Sequence, residues 1–485
     1  MLEVAVIFAA QIALLIAVIV LRDPKLLIPC VVIGLPIEVI ETEALDYLGA
    51  SGESGARGAI RSLLNPGQAA MAATVVIGAI RLRHNPMRLI PDSAVVVPML
   101  ALFAVLLLGV AWSDTPTRPS NGVLILFLYV AFVLVAPTLI EDRRDIERII
   151  GAFLAVAILL AVIALAQRLL GVFNWRSILV QSDDYSYRSN ATFADPNNLA
   201  RYFAITLSLA AALVLATGPR RQTLYLALPA LAVGAVGIVA TASRSGWLAL
   251  LLCGFMTVML APIPRYTKLR LTGAGMLILG TLLGLLLWQG GTDAERVRSL
   301  AQGVQVIGQR EFLIRAGWDM FTDSPLIGLG SGNFEKSLVT SYLHHLPTWA
   351  RTTLSHTSLV SLMAELGIVG IAIFTFFAAR IAIITGTLYA HASTPYSRLL
   401  LGWIGAAFLT ILLQSQSEGR LLDEPYLWLL LAILIAFETS PALRGQAEER
   451  PASVSAPSVP QPRDEPAPPS PRPPRSVPEP VPGAG

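Results

Sequence analysis

Apolar runs of about twenty residues recur along most of this chain, and no other feature constrains its fold as much. A helix crossing ~30 Å of hydrocarbon needs about 20 mostly apolar residues, because every backbone group must be satisfied inside the segment. By that length the sequence predicts about thirteen spanning helices, near 2–21, 26–40, 66–82, 94–112, 121–140, 149–170, 198–217, 223–241, 246–262, 271–289, 357–380, 399–415 and 425–438. The second and last are short enough to be re-entrant or tilted, so the expected total is about 12–14. Of 485 residues, 54% are hydrophobic and only 14% charged, with a mean hydropathy of +0.65; soluble domains carry about a quarter charged residues. The fold class expected is therefore all-α, a polytopic integral membrane helical bundle. The first run opens at Met1 with no basic stretch before it and no small-residue cleavage site after it, so it reads as a retained span and not a signal peptide.

The same composition excludes other classes. The two cysteines, Cys30 and Cys253, both lie in apolar runs, which rules out a disulfide scaffold. The net charge is only +3 and the basic residues are scattered singly, which argues against nucleic-acid binding. Orientation follows from the loops. Alternate connections are basic: Arg22 and Lys25; Arg81, Arg83 and Arg88; Arg143, Arg144 and Arg148; Arg220 and Arg221; Arg265, Lys268 and Arg270. These belong in the cytoplasm, which places 41–65, 113–120, 171–197, 241–245, 290–356 and 416–424 outside.

Two pieces depart from the membrane pattern. Residues 290–356 form one large outer loop, too long to be a simple connection and therefore expected to be functional. In the last 35 residues 13 are proline, so the segment cannot bury enough apolar surface to offset its ordering entropy. The expected organisation is a helical membrane domain over 1–440, including the loop 290–356, and a Pro-rich disordered cytoplasmic tail over 441–485.

Three of the outer connections contain an arginine. Arg188 precedes Ser189-Asn190-Ala191-Thr192-Phe193-Ala194-Asp195-Pro196-Asn197; Arg244 stands in the short turn Thr241-Ala242-Ser243-Arg244-Ser245-Gly246; Arg315 lies in Glu311-Phe312-Leu313-Ile314-Arg315-Ala316-Gly317-Trp318. Singly, each reads as well as a side chain snorkelling to lipid headgroups. Together, on the side where positive charge is disfavoured, they read better as a planar, permanently charged pocket for phosphate oxygens. The third stretch has helical periodicity, with Leu313, Gly317, Met320 and Phe321 on one face and Glu311, Arg315, Trp318 and Thr322 on the other. It should stop before Ser324-Pro325. The following Gly328-Leu329-Gly330-Ser331-Gly332-Asn333-Phe334 is expected to be a turn that lets backbone approach a ligand closely.

Of five histidines, His344, His345 and His356 fall in or at the edge of the large loop. His356, at the mouth of the next span, suits general-base work, although a capping or headgroup-contacting role is equally open. Glu365 follows it inside that span, where an ionisable group is a functional suspect or is paired within the bundle. The three histidines match no compact ligand spacing and no acidic cluster adjoins them, so no metal site and no cofactor is expected.

The order and spacing of these motifs around one long outer loop resemble the bacterial O-antigen ligase/polymerase family of polytopic glycosyltransferases. The resembling residues run from about 186 to 425: Arg188 with Phe193 and Pro196-Asn197; Ser243-Arg244-Ser245-Gly246; Arg315 with Trp318; Ser324-Pro325 through Phe334; and Ser355-His356-Thr357-Ser358-Leu359 with Ala364-Glu365-Leu366-Gly367. The resemblance implies a glycosyltransferase-C-like bundle with a partly helical periplasmic loop. It implies transfer of a glycan from an undecaprenyl-diphosphate-linked donor to a glycan, lipid or protein hydroxyl at the periplasmic face of the inner membrane, metal-independent and with inversion. Arg188, Arg244 and Arg315 would hold the donor diphosphate, His356 would take the acceptor proton, and Glu365 would orient it or shape the pocket. Two other classes remain open. A flippase or transporter of lipid-linked oligosaccharide would carry its polar residues nearer the bilayer midplane. A scaffold recruiting partners through the tail leaves the outer arginines unexplained.

Overall fold

The structure is a computed structural model that describes residues 23–38, 65–83, 90–113, 117–173, 188–215, 221–289, 308–346, 357–444 and 483. Contacts divide the chain into Met1–Gln446 and Ala447–Gly485. Apart from Gly483 the second unit lies outside the described residues, as does the first expected span, 2–21.

Every regular element among the described residues is helical, as the apolar runs predict. In chain order they are α1 (Leu27–Gly34), α2 (Pro66–Leu82), α3 (Val96–Gly109), α4 (Thr117–Val135), α5 (Arg143–Leu170), α6 (Pro196–Leu215), α7 (Arg221–Ala240), α8 (Arg244–Leu260), α9 (Arg265–Gln289), α10 (Gly308–Asp323), α11 (Phe334–Thr340), α12 (Ser358–His391), α13 (Pro395–Glu418) and α14 (Pro425–Thr439). Among the described residues, five segments are long and apolar enough to cross a membrane and several shorter apolar helices accompany them, consistent with a multi-pass membrane protein. Local chemistry sets the ends. α5 starts six residues before its apolar run, because Asp142 and Asp145 form a capping box. α10 stops before Ser324-Pro325, with Leu313, Gly317 and Met320 buried and Glu311, Arg315, Trp318 and Thr322 exposed, as its periodicity predicts.

Burial locates the core. Every residue from 425 to 437 in α14 is buried, which marks a helix that is apolar on all sides and packed in the middle of the bundle. α6, α7 and α8 pack on one another, α8 also packs on α13, and α12 contacts α3, α10 and α13.

Among the described residues, connections that the charge pattern groups together meet at common ends of the bundle. At one end Lys25 Nζ meets Glu141 at 2.9 Å and Asp145 at 3.0 Å, the Arg143 guanidinium lies 4.2 Å from the Tyr396 ring centroid, and Ser440 Oγ donates to the Glu141 carbonyl. At the other end Thr192 Oγ1 donates to the Pro36 carbonyl, and Arg188 reaches across to the turn that begins at Thr241.

Two expectations change. The connection expected over 381–398 shrinks to residues 392–394, because α12 runs on to His391. α12 is also broken: Gly367 has φ 62° and ψ −157°, a conformation essentially confined to glycine. The break leaves backbone groups without their usual helical partners, and residues 325–330 take them up. Leu329 N donates to the Ala364 carbonyl and Gly330 N to the Glu365 carbonyl, while Ile368 N donates to Pro325 and Val369 N to Leu326. An interrupted helix in a bundle is tolerated when neighbouring chain satisfies the freed groups in this way.

The glycine turn is explained by the same contact. A Cβ on Gly328 (φ 68°) would lie 2.2 Å from the Glu365 carbonyl carbon, and one on Gly367 would lie 2.5 Å from that of Leu326. Here the close approach is of the protein's own backbone to itself, where the sequence suggested a ligand. Gly367→Ala should therefore cost about 2–3 kcal/mol, from the forbidden backbone region and the overlap together. A thermal melt in detergent, with proteolysis of the 290–356 loop as second readout, checks this; wild-type values in both would show that the break is not locked.

Candidate functional site

The turns at the outer-loop end are built from short polar side chains that tie separate helices together. Residues 188–195 are pinned from below: Ser189 Oγ donates to the Ala164 carbonyl, and Gln167 Oε1 accepts from the backbone of Asn190 and Ala191. This holds Arg188 at 3% exposure. Its Nε donates to the Thr241 carbonyl at 2.9 Å and its Nη2 to Asn197 Oδ1 at 2.6 Å. Asn197 Oδ1 also accepts from Ser243 Oγ at 2.7 Å, and Ser243 caps α8 by accepting from Gly246 N. Arg188 and the Arg244 turn are thus joined through Asn197, across 56 residues of sequence (244 − 188).

Arg244 is the first residue of α8, where the helix dipole favours negative charge. Ala191 (φ 46°) and Ala242 (φ 48°) both sit in left-handed backbone beside these arginines. Such strain costs of order 1–3 kcal/mol and collects at functional sites.

Beneath the arginines lies a buried ion network that sequence reading missed. Arg201, 1% exposed, meets Glu418 Oε2 at 2.6 Å and also Glu424. Glu418 Oε1 accepts from Ser245 Oγ at 2.6 Å and from Gln414 Nε2 at 2.9 Å, which ties the network to the residue after Arg244. Arg420 continues it to Glu38 at 2.8 Å, and Glu38 accepts from Ala194 N and Asn198 Nδ2. The signal was present in the sequence: Arg201 stands inside a predicted span, where a charge calls for a partner.

The other predicted residues are placed differently. Arg315 is 64% exposed, and its guanidinium meets Glu311 at 2.5 Å, one turn earlier on α10. Among the described residues Glu311 is its polar partner, and the structure does not bring it into contact with the Arg188–Arg244 turns. Glu365 accepts from Gly332 N at 2.8 Å and Phe334 N at 3.1 Å, so its carboxylate holds the glycine turn against α12. His356 lies outside the described residues. The residues after it dock on the network's own helix: Ser358 Oγ donates to the Ser415 carbonyl at 3.1 Å, and Leu359 N donates to Gln416 Oε1 at 3.1 Å.

Arg188, bonded to Thr241 and Asn197, and Arg244, the first residue of α8, thus stand on neighbouring turns at one end of the bundle. The bundle defines a polytopic helical membrane protein. Residues 229–375 match the family model described as O-antigen ligase, which supports the O-antigen ligase/polymerase family. The matched segment contains Arg244, Arg315, His356 and Glu365, and Arg188 is bonded to its Thr241 carbonyl. A comparison with curated proteins gave no match.

Proposed function

We propose that the protein is a membrane glycosyltransferase of ligase/polymerase type, moving a glycan from an undecaprenyl-diphosphate-linked donor to an acceptor hydroxyl on the outer face of the inner membrane. The observation that carries this reading is the joining of Arg188 to the Arg244 turn within a chain whose residues 229–375 match the O-antigen ligase family.

In this reading Arg188 and Arg244, with the N–H groups that open α8, hold the diphosphate. They stabilise the charge that builds on it as the bond from the sugar's anomeric carbon breaks, a contribution worth several kcal/mol in comparable sites. The leaving group is the polyprenyl diphosphate. His356 takes the proton of the acceptor hydroxyl as its oxygen attacks the anomeric carbon from the opposite face, which inverts the centre. The positive charge needed at the leaving group comes from arginine, so the transfer step calls for no metal ion. Arg315, on α10, is the third arginine assigned to the donor diphosphate. Glu365 is a positioning residue that holds the glycine turn. The break in α12 would also suit a transporter, but the chain's own residues 325–330 fill it, which favours the enzyme.

The test is the surface-glycan profile of a strain lacking the gene, complemented with wild type or with Arg188→Lys. Deletion should accumulate either unpolymerised repeats or polymer retained on its lipid carrier, and wild type should restore the profile. Lysine keeps the charge but replaces a planar fork with a point charge, so Arg188→Lys should lower transfer by about tenfold or more, equivalent to about 1.4 kcal/mol. An unaltered profile on deletion would overturn the reading; full rescue by Arg188→Lys would remove the bidentate role.

A further inference from the structure

The described part of the large loop carries a cluster of donor atoms that the transfer chemistry does not use. His344 and His345 lie in the 3₁₀ turn Leu343–His345, which packs against α10. His345 Nε2 stands 2.8 Å from Asp319 Oδ2 on α10, and the His344 and His345 ring centroids are 4.2 Å apart. One donor atom from each of Asp319, His344 and His345 can be chosen so that all three lie within 4.8 Å of one another. The sequence pattern gave no such grouping, because Asp319 is 25 residues before His344 (344 − 319) and reaches it only through the fold.

We propose that Asp319, His344 and His345 bind one divalent transition ion of the zinc class, which clamps the turn to α10. Zinc bonds of about 2.0–2.2 Å to imidazole nitrogen and carboxylate oxygen put tetrahedral ligands about 3.4 Å apart, so small side-chain rotations suffice to close the site around an ion. Imidazole donors select against magnesium and calcium. A plain ion pair between His345 and Asp319 would have no use for a second imidazole held beside the first, tilted at 40° to it.

The local charge favours a cation. Tyr342 Oη donates to Asp323 Oδ2 at 2.5 Å, so a second carboxylate stands on α10 four residues after Asp319. Arg315, one turn before Asp319, is engaged with Glu311. Asp319 is half exposed, which leaves water access to a fourth coordination position.

Zinc ion alone is the probe. The full chain, purified in detergent without a histidine tag and stripped with chelator, is titrated with zinc by calorimetry. Wild type should bind one ion in the micromolar range or tighter. Loss of outer-shell partners alone costs 10–100-fold, so His345→Ala and Asp319→Asn should each weaken binding by at least about tenfold, while His391→Ala at the far end of α12 should not. Zinc should also raise the melting temperature of wild type and not that of Asp319→Asn. No binding by wild type, or equal affinity in Asp319→Asn, overturns the site, and neither result bears on glycan transfer.

Discussion

Arg201→Met should destabilise the bundle by about 3–5 kcal/mol, the range observed when one partner of a buried ion pair is removed and the other is left uncompensated. Arg201 is 1% exposed, and the carboxylates it faces, Glu418 and Glu424, are 6% and 4% exposed. Without the guanidinium, two carboxylates would share a site at the ends of α13 and α14. Protonating one of them relieves the repulsion but breaks the bonds that Glu418 accepts from Ser245 and Gln414. The loss should therefore reach the Arg244 turn as well as the helix ends. The measurement is equilibrium unfolding in mixed detergent, followed by far-ultraviolet circular dichroism. The triple variant Arg201→Met, Glu418→Gln, Glu424→Gln should recover at least about half of the loss, because a fully neutral cluster carries no stranded charge. A cost under about 1 kcal/mol for the single variant would mean that water screens the network as it does an exposed pair.

How much of this was legible in the sequence depends on the range over which each feature is encoded. Span positions are encoded locally, in hydropathy over a helical length, so α2 through α9 fall on the predicted runs. The amphipathic face of α10 was legible for the same reason, since its burial follows a period of 3.6 residues. What escaped was set by contacts distant in sequence. Gly367 was visible as a glycine in a span, but its broken backbone exists only because residues 325–330 take up the bonds it frees. Glu365 appeared as a catalytic suspect because an intramembrane carboxylate demands a partner. Its partners are the amides of Gly332 and Phe334, which carry no side-chain signature. Arg188 and Arg244 were singled out for an outer position and are joined by Asn197, whereas Arg315 obeys the same rule and lies exposed against Glu311. A shared loop position is therefore readable from sequence, and convergence on one pocket is not.

His356→Ala should lower glycan transfer by about 10²–10⁴-fold while leaving a folded, inserted protein, which is the usual contribution of a positioned general base. An unassisted hydroxyl is a poor nucleophile near neutral pH, and imidazole is the side chain whose ordinary pKa lets it accept that proton there. The chain around this residue supports the assignment. Immediately after it, α12 opens with Ser358 and Leu359 bonded to Ser415 and Gln416 near the end of α13. Two residues further on, Glu418 holds Ser245, the neighbour of Arg244. The entry of α12 and the arginine turn are thus both bonded to the last turns of α13. The check is an in vitro assay with purified enzyme and lipid-diphosphate-linked glycan, with expression and melting temperature measured alongside. His356→Gln should be as inactive as alanine, since an amide keeps hydrogen bonding but accepts no proton. Turnover within about twofold of wild type in either variant, a difference of under about 0.4 kcal/mol, would assign the base to another group and leave the arginine turns as the part of the site that still stands.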